Sequence, residues 1–380
     1  MRILSEINLS RSVIPAFMLL GVMWGGFAAY VPEIKHIIGA SDAAFGSAML
    51  IAALGAVSAM WLAPFLDKAL SRFAVVALMI LAGLAYFIPA LAGNIAVFTL
   101  GMVLVSAFSG TVDVIMNARL SHIETEHSVS LMGLNHGLFS FAYAASSIVA
   151  GLFRGQDISM GGFAIAVMSV ALILVYWAGP SNTDPQSAEA DEGQTEVTVA
   201  LGVVILPGLI ILIAFLTEQA TEAWSALHIE RVLHVSAELS ALGPAILGVT
   251  MGIGRLAGHY GMKSLSETKV VNYAACITAT GAFLAAWSSG ALGVYLGFGL
   301  LGAGVSVMVP MIFSYVAKAT PSHLRTKVIS RVSVIGYAGF FLGPPTMGFL
   351  SEIGTLTLSF SFVGVLLLSV PILLWVETRR

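Results

Sequence analysis

The sequence predicts an all-α membrane protein in which twelve transmembrane helices form two pseudo-symmetric six-helix bundles. Three observations support this fold class: the composition, the number of long apolar segments, and one acidic stretch that divides them six and six. Hydrophobic residues make up 58% of the 380 residues and charged residues only 10%, whereas a soluble domain carries roughly 25% charged residues. Such a chain cannot cover a water-facing surface, so we expect it to lie in a lipid bilayer.

Twelve apolar segments are each long enough to cross the hydrocarbon core as a helix, which takes about 20 residues. Helices suit lipid because they satisfy their own backbone hydrogen bonds. In chain order we predict the spans 12–34, 43–65, 73–92, 95–118, 129–152, 160–178, 199–228, 237–258, 269–288, 290–317, 327–350 and 355–376. The first apolar run continues as a full span, without the cleavage site of a signal peptide.

The acidic stretch Gly179–Glu196 has the composition of a solvated linker. It predicts an N-terminal bundle over residues 1–178, a cytoplasmic linker over 179–197 and a C-terminal bundle over 198–380. The two halves are similar in sequence at an offset of about 195 residues. Two six-span bundles of this kind are typical of secondary transporters, in which parallel halves enclose a cavity at their interface.

The placement of lysine and arginine predicts the orientation, because these residues favour the cytoplasmic side. With the N-terminus inside, only Lys35, Arg154 and Arg231 remain outside. We therefore expect both termini in the cytoplasm and the protein in the cell (inner) membrane.

Several classes of function are excluded by what the sequence lacks. It has no phosphate-binding loop of the Walker type, and no histidine or cysteine cluster has the spacing of metal ligands. The net charge of −3 does not indicate a nucleic-acid partner, and the single cysteine, Cys276, allows no internal disulfide. We expect no enzymatic activity, no catalytic residues, no metal and no cofactor.

The chain resembles the major facilitator superfamily over its whole length, in the following segments. In the loop APFLDKALSR, Asp67, Lys68 and Arg72 match the family signature between spans 2 and 3, although the usual glycines are absent. Five further segments resemble a bacterial branch described as transporters, some as sugar permeases or rhizopine (inositol-amine) carriers: DVIMNA, NHGLFS, EAWS, GRLAG and GYAGFFLGPP. The resemblance implies the major facilitator fold.

Two carboxyl groups in the seventh span are candidates for proton or substrate binding, because ionisable groups are costly at membrane depth. Glu218 and Glu222 lie four residues apart and share a helix face. Neighbouring carboxyl groups in a low dielectric do not easily both ionise, so one of them is expected to bind and release a proton. The alternative is a hydrated Glu222 in an outer vestibule and a Glu218 with a structural ion pair or hydrogen bond.

A second polar group is expected near the cytoplasmic ends of spans 4 and 5. Asp113 and Asn117 lie four residues apart in span 4, and Asn135 and His136 begin span 5, its antiparallel neighbour. A neutral histidine at this depth can accept a proton. The alternative, which we favour, is a hydrogen-bonded cluster that fastens the two helices, with Arg119 as a further member.

The resemblance also implies a gate. In the family, the aspartate of the signature loop contacts the start of span 11 and latches the outward-open state. Asp67 would then pair with Lys327, Arg331 or the positive helix terminus there. Arg72 and Arg255 are further gating candidates, the latter at the cytoplasmic end of span 8. The alternative for Arg255 and Arg331 is snorkelling to lipid head groups.

Aromatic residues at expected cavity positions are Trp24, Tyr30, Trp224, Tyr315 and Tyr337. Each offers a flat face and one polar tip, which suits a sugar ring or an organic cation. The alternative for each is packing between helices or a place in an interfacial belt.

The resemblance implies a secondary active transporter that works by alternating access, is coupled to protons and acts as a monomer. The expected partners are the bilayer, the proton and a small polar organic solute: a sugar, a polyol or an amine-like compound. Because no arginine is expected at cavity depth, a dianionic solute is disfavoured. Multidrug export of lipophilic cations by the same fold remains the alternative. A sensor or a channel fits less well, since the linker and termini are short and no polar pore-lining stripe is visible.

Overall fold

A computed structural model describes residues 2–179, 201–260 and 265–379. Apart from Gly179, the predicted linker over residues 179–197 lies outside these ranges. Within them the chain forms helices and contains no strand. The all-helical class predicted from composition is therefore confirmed for the described chain.

The described ranges contain fourteen α-helices. In order they are α1 (Arg2–Leu9), α2 (Ile14–Ile37), α3 (Asp42–Leu70), α4 (Ala74–Ala90), α5 (Ile95–His127), α6 (Met132–Arg154), α7 (Met160–Ala178), α8 (Leu201–Leu233), α9 (Ala237–Ser240), α10 (Leu242–Tyr260), α11 (Glu267–Trp287), α12 (Ala291–Ala319), α13 (Arg325–Ile353) and α14 (Leu356–Thr378). Short 3-10 turns, Ser71–Phe73 and Ser322–Leu324, precede α4 and α13.

Eleven helical segments of the described chain are long and apolar enough to cross a membrane. The region that corresponds to the predicted eleventh span, α13, is not among them, although it has 29 residues. Four glycines and the pair Pro344 and Pro345 lower its apolar content. A multispan membrane protein is thus supported, and the count of twelve stays a prediction.

The helices group into two compact units. Unit 1 comprises the described residues among Met1–Ser41, Ala48–Glu192 and Ser236–Ala245, and unit 2 those among Asp42–Ser47, Gly193–Val235 and Ile246–Arg380. Each unit therefore includes one short segment from the other half of the sequence. In unit 2 this segment is the first turn and a half of α3, and in unit 1 it is α9 with the start of α10.

Close helix packing in unit 1 depends on small residues between α2 and α6. A Cβ atom placed on Gly25 would lie 2.1 Å from the carbonyl oxygen of Tyr143, so only glycine fits this approach. Because the backbones are so near, Ser147 Oγ donates a hydrogen bond to Gly25 O at 2.8 Å. Ser146 Oγ likewise donates to Val22 O at 2.6 Å. Small residues that allow such approaches, and polar side chains that bridge helices, are common in membrane bundles.

Unit 2 uses the same device between α8 and α13. A Cβ atom on Gly339 would lie 2.2 Å from the carbonyl oxygen of Leu212. Gly343, one turn later, would place its Cβ 3.1 Å from the carbonyl oxygen of Leu216. Close contact with α13 thus fixes the middle of α8, which carries the two candidate carboxyl groups.

Candidate functional site

Unit 2 contains an ion pair in the middle of its longest helix, α8. Arg255 Nη2 of α10 donates to Glu218 Oε1 at 2.9 Å, and the two side chains are 16% and 10% exposed. Glu218 lies 15 residues before α8 ends at Leu233, and Arg255 lies 13 residues after α10 begins at Leu242. At a rise of about 1.5 Å per residue, both residues lie about 20 Å from the neighbouring ends of α8 and α10, and therefore at nearly equal depths.

This contact corrects the expectation that no arginine reaches the depth of the candidate carboxyl groups. Arg255 was expected at a cytoplasmic helix end, as a gating or snorkelling residue. Its guanidinium binds the carboxylate of Glu218, and its role in gating stays a prediction. A long side chain on a helix can place its charge a turn or more from its own Cα. A buried carboxylate offers it a charge-assisted hydrogen bond, which outweighs exposure of the guanidinium at the helix end.

Glu222 lies one turn further along α8 and has a different kind of partner. Gln219 Nε2 donates to Glu222 Oε2 at 2.9 Å. The Glu222 side chain is half-buried, and the charges of Glu218 and Arg255 act on it. The two carboxyl groups are thus unequal: Glu218 has a cationic partner, and Glu222 has an uncharged amide donor.

An aromatic stack lies one turn before this cluster. Phe215 of α8 stacks on Tyr337 of α13, with ring centroids 5.4 Å apart and planes 8° apart. Phe340 stacks on the same Phe215 ring at 4.2 Å. Phe215, Glu218 and Glu222 are spaced three and four residues apart, so they share one face of α8. Tyr337 is 41% exposed, so this candidate aromatic is only partly covered by the stack.

Trp224 lies elsewhere in unit 2. It is fully buried, and its ring meets Phe45 edge-on at 5.6 Å between centroids. In this arrangement Trp224 packs in the core, which corresponds to the alternative weighed for each aromatic. Tyr315, by contrast, lies in the last turns of α12.

A second ion pair of unit 2 lies at the end of α8. Arg231 binds Asp42 through two hydrogen bonds, Nη1 to Oδ2 at 2.6 Å and Nη2 to Oδ1 at 2.8 Å. Ser351 Oγ of α13 donates to the same carboxylate. The amide of Ala43 donates to Glu352 Oε2 at 3.1 Å. These bonds tie the first turn of α3 to α8 and α13.

Unit 1 has an arginine whose side chain is largely buried, Arg154, at the end of α6. Its Nη1 donates to Ala29 O at 2.8 Å, and its Nε lies 3.7 Å from Glu33 Oε2. Nη1 also lies 3.4 Å from Ser240 Oγ, in the segment of unit 1 that comes from the second half of the sequence. The candidate Tyr30 belongs to this group, because its hydroxyl donates to Ile158 O at 2.7 Å and Arg154 lies 6.0 Å from its ring centre.

Of the four polar residues expected to cluster at the ends of spans 4 and 5, Asp113 and Asn117 contact each other. Asn117 Nδ2 donates to Asp113, to the backbone oxygen at 2.8 Å and to Oδ1 at 3.1 Å. Asn135 is fully buried and donates to Leu131 O of its own helix at 2.9 Å. The His136 ring packs edge-on against Phe17 of α2, with centroids 5.0 Å apart. Asp113 and Asn117 therefore form one pair, and Asn135 and His136 contact other groups.

The signature-loop aspartate has its ion-pair partner inside unit 1. Arg119 Nη2 of α5 donates to Asp67 Oδ1 at 2.5 Å and to Ser71 O at 2.8 Å. Arg119 thus fastens the loop after α3, whereas the sequence suggested it as a member of the Asp113 cluster. The latch between Asp67 and Lys327 or Arg331 stays a prediction.

The remaining candidates lie at accessible positions. Arg72 is exposed, with its guanidinium 4.9 Å from the ring centre of Phe73. Arg331 is exposed on the second turn of α13. Trp24 is half-buried and meets Phe27 edge-on at 5.8 Å. Their roles in gating or binding stay predictions.

Sequence reasoning missed three members of these groups: Gln219, Asp42 and the ion-pair role of Arg255. A depth count along consecutive antiparallel helices would have found Arg255, because it lies as far from its helix start as Glu218 lies from its helix end. Gln219 precedes Glu222 by three residues, a spacing that allows contact on a helix. Nothing local marked Asp42, since its partner lies 189 residues away.

Comparison with known proteins identifies relatives over nearly the whole chain. Residues 13–325 match the family model described as Major Facilitator Superfamily. An uncharacterised MFS-type transporter of Yersinia pestis is 28% identical over 363 residues, which cover 93% of this chain and 92% of the relative. The membrane protein MosC of Rhizobium meliloti is 27% identical over 362 residues, which cover 92% of this chain and 86% of MosC.

Solved structures show the same fold at low sequence identity. A D-xylose–proton symporter superposes with a TM-score of 0.75 at 12% identity, over 97% of each chain. A mutant of the nucleoside transporter NupG gives a TM-score of 0.73 at 13% identity, over 98% of this chain and 99% of the other. A bacterial homologue of the human lysosomal transporter Spinster gives a TM-score of 0.71 at 14% identity, over 98% and 96% of the two chains.

Proposed function

Because the chain belongs to the Major Facilitator Superfamily, we propose that it is a secondary active transporter for a small polar organic solute, coupled to protons. The transporter would work by alternating access in the cell (inner) membrane, as a monomer with both termini in the cytoplasm. The positive-inside pattern of lysine and arginine supports this orientation. A D-xylose–proton symporter among the fold neighbours is compatible with coupling of this kind.

The observation that carries the proposal is the cluster of Glu218, Glu222 and Arg255 in unit 2. Ionisable side chains at membrane depth are costly and mark ion or substrate pathways. Here two carboxyl groups of one membrane-crossing helix lie near a single guanidinium, which binds Glu218. One acid therefore has no charge partner of its own, and proton binding would remove its charge.

The same cluster constrains the solute. Arg255 supplies a positive charge at this depth, but Glu218 already neutralises it, so an anionic solute would have to displace a carboxylate. A neutral sugar or polyol can bind the carboxyl and amide groups by hydrogen bonds, and an amine can bind Glu222 by charge. The partly exposed ring of Tyr337, which stacks on Phe215 one turn before Glu218, suits a sugar ring or an organic cation equally.

The proposal is tested by transport into vesicles that contain the purified protein. Sugars, polyols, amines and lipophilic cations are first screened by thermal shift, because a ligand of the native state raises apparent stability. Radiolabelled hits are then offered to vesicles with an imposed proton gradient. We expect accumulation of a small polar solute above equilibrium, which a protonophore abolishes.

Two outcomes would contradict the proposal. Equilibration of the solute without accumulation, unaffected by the gradient, would show a facilitator that is not coupled to protons. Movement of lipophilic cations alone would establish the multidrug alternative. Vesicles with the Glu230→Gln variant are the control for removal of a carboxyl group at the end of α8, and they are expected to accumulate solute like the wild type.

A further inference from the structure

The two acids of α8 differ in a way that assigns them separate tasks. Glu218 and Arg255 form a neutral pair whose side chains are both largely buried. Glu222 receives a hydrogen bond from an amide, which carries no charge. The three ionisable groups together are therefore neutral when Glu222 is protonated and carry one negative charge when it is ionised. Burial in a low dielectric favours the state in which the three groups carry no net charge.

Among the described residues, few ionisable side chains lie near Glu222. Helices α3, α10 and α11 contact α8 through Phe45, Arg255 and Ala285, and Asp42 of α3 is paired with Arg231 at the end of α8. The helices packed most extensively against α8 are α12, α13 and α14. Of the ionisable residues of these helices, only Tyr337, which stacks on Phe215, lies away from the helix ends. The others are Tyr295, Tyr315, Lys318, Arg325, Lys327, Arg331, Glu352 and Glu377. The charged groups that act on Glu222 are thus Glu218 on its own helix and Arg255 on α10.

The hydrogen bond from Gln219 suits a group that changes its protonation state. The amide nitrogen donates to Glu222 Oε2, and this oxygen can accept whether the carboxyl group is ionised or carries its proton on the other oxygen. The side chain therefore keeps its position while the proton binds and leaves.

We infer that Glu222 binds and releases the transported proton, while Glu218 stays ionised as the counter-ion of Arg255. This inference rests on the proposed coupling to protons and deepens it. The proton passes between the Glu222 carboxyl group and water, and no other bond forms or breaks. The ion pair is a positioning device: because Glu218 neutralises the charge of Arg255, Glu222 stays able to take up a proton.

The inference is tested without a solute, by infrared spectroscopy of the purified protein in lipid nanodiscs. A protonated carboxyl group has a carbonyl band separate from the bands of carboxylate, and the band disappears when the pH is raised. We expect Glu222→Gln to remove one such band at neutral pH and to reduce proton uptake after a pH jump by one per protein. Glu230→Gln, on the same helix, is the matched control and should retain both signals.

The ion-pair variants make the test specific. In Glu218→Gln, Arg255 is released to pair with Glu222, which should then be ionised, so the band is expected to be lost although Glu222 is present. The double variant Glu218→Gln/Arg255→Gln removes both charges and should restore the band. A merely structural role of the pair does not predict this rescue.

Retention of the band in Glu222→Gln together with its loss in both Glu218 variants would overturn the assignment and identify Glu218 as the proton site. Gel filtration detects a variant that has unfolded. The return of the band in the double variant then decides between the two proton sites. A failure of the proposed proton coupling can be distinguished from a failure of the Glu222 assignment. In the first case the band behaves as expected, but a proton gradient drives no accumulation of solute. Conversely, gradient-driven accumulation by Glu222→Gln would refute the inference alone.

Discussion

In unit 1 the side chain of Arg119 is buried together with its charge. It is 4% exposed, and its Nε and Nη1 atoms have no hydrogen-bond partner within the described chain. Its hydrogen bonds go from Nη2 to Asp67 and to the carbonyl oxygen of Ser71. In Asp67→Asn the guanidinium would stay buried without its carboxylate. Loss of one partner of a buried pair costs about 3–5 kcal/mol. We therefore expect Asp67→Asn to lower the thermal unfolding temperature of the purified protein markedly.

Two further variants show whether the buried charge is the cause. Arg72→Ala removes an exposed arginine of the same loop and is expected to change stability by less than about 0.5 kcal/mol. Asp67→Asn/Arg119→Met leaves no buried charge and should recover part of the loss. If Asp67→Asn proved as mild as Arg72→Ala, Arg119 would not depend on this ion pair.

Residue types and local spacing predict which polar groups matter, but not which groups they contact. The spacing of Glu218 and Glu222 was visible in the sequence because it lies within one helix. Their partners were not equally visible: Gln219 is local, whereas Arg255 lies 37 residues away and Asp67 finds Arg119 at a separation of 52. Such contacts depend on helix depth and rotation, which hydropathy alone does not determine.

Among the helices, the close pairs α2–α6 and α8–α13 make a prediction about glycine. A methyl group on Gly25 or Gly339 would lie 2.1 Å or 2.2 Å from a backbone oxygen of the facing helix. Because backbone cannot move aside as a flexible side chain can, the helices would have to separate, and such overpacking costs about 1–3 kcal/mol. We expect Gly25→Ala and Gly339→Ala each to lower the thermal unfolding temperature.

The matched control is Gly258→Ala, in α10. This glycine is also helical, but a Cβ atom there meets nothing within 4 Å. Alanine is favoured over glycine in a helix by about 1 kcal/mol, so this variant should be neutral or slightly stabilising. A drop in stability equal to that of Gly25→Ala would mean that glycine matters here for reasons other than close packing.

The positions of the helices were well predicted where apolar residues define them, and less well where a helix extends beyond its apolar part. The predicted span 95–118 corresponds to α5, which continues to His127 through the polar sequence SHIETEH. The span 199–228 corresponds to α8, which continues to Leu233. Hydropathy marks the part of a helix that suits lipid, whereas hydrogen bonding and packing decide where it ends.

At the scale of the whole molecule, the division into units differs from the division of the sequence into halves. The N-terminal half, residues 1–178, contains Asp42–Ser47, which belongs to unit 2. The C-terminal half, residues 198–380, contains Ser236–Ala245, which belongs to unit 1. Neither half of the sequence therefore contains the whole of its unit. Internal symmetry predicted two bundles, but it could not reveal this exchange, because the contacts join residues such as Asp42 and Arg231 across 189 positions.

This exchange predicts how the two halves behave when they are produced as separate chains. Residues 198–380 alone would leave Arg231 without Asp42, and residues 1–178 alone would leave Arg154 without Ser240. We expect each half alone to be unstable and the two halves produced together to copurify, with an unfolding temperature near that of the intact chain. The measurement is thermal unfolding of the separate and the combined halves.

A charge variant tests whether the exchanged segment is the cause. Asp42→Asn in the N-terminal half weakens the two hydrogen bonds to Arg231 and should lower the stability of the combined halves. Asp157→Asn removes a carboxylate from the same half, in the loop after α6, and serves as the control. Halves that were each as stable alone as together would show that the exchanged segments contribute little. Each unit would then be complete without the segment that the other half supplies.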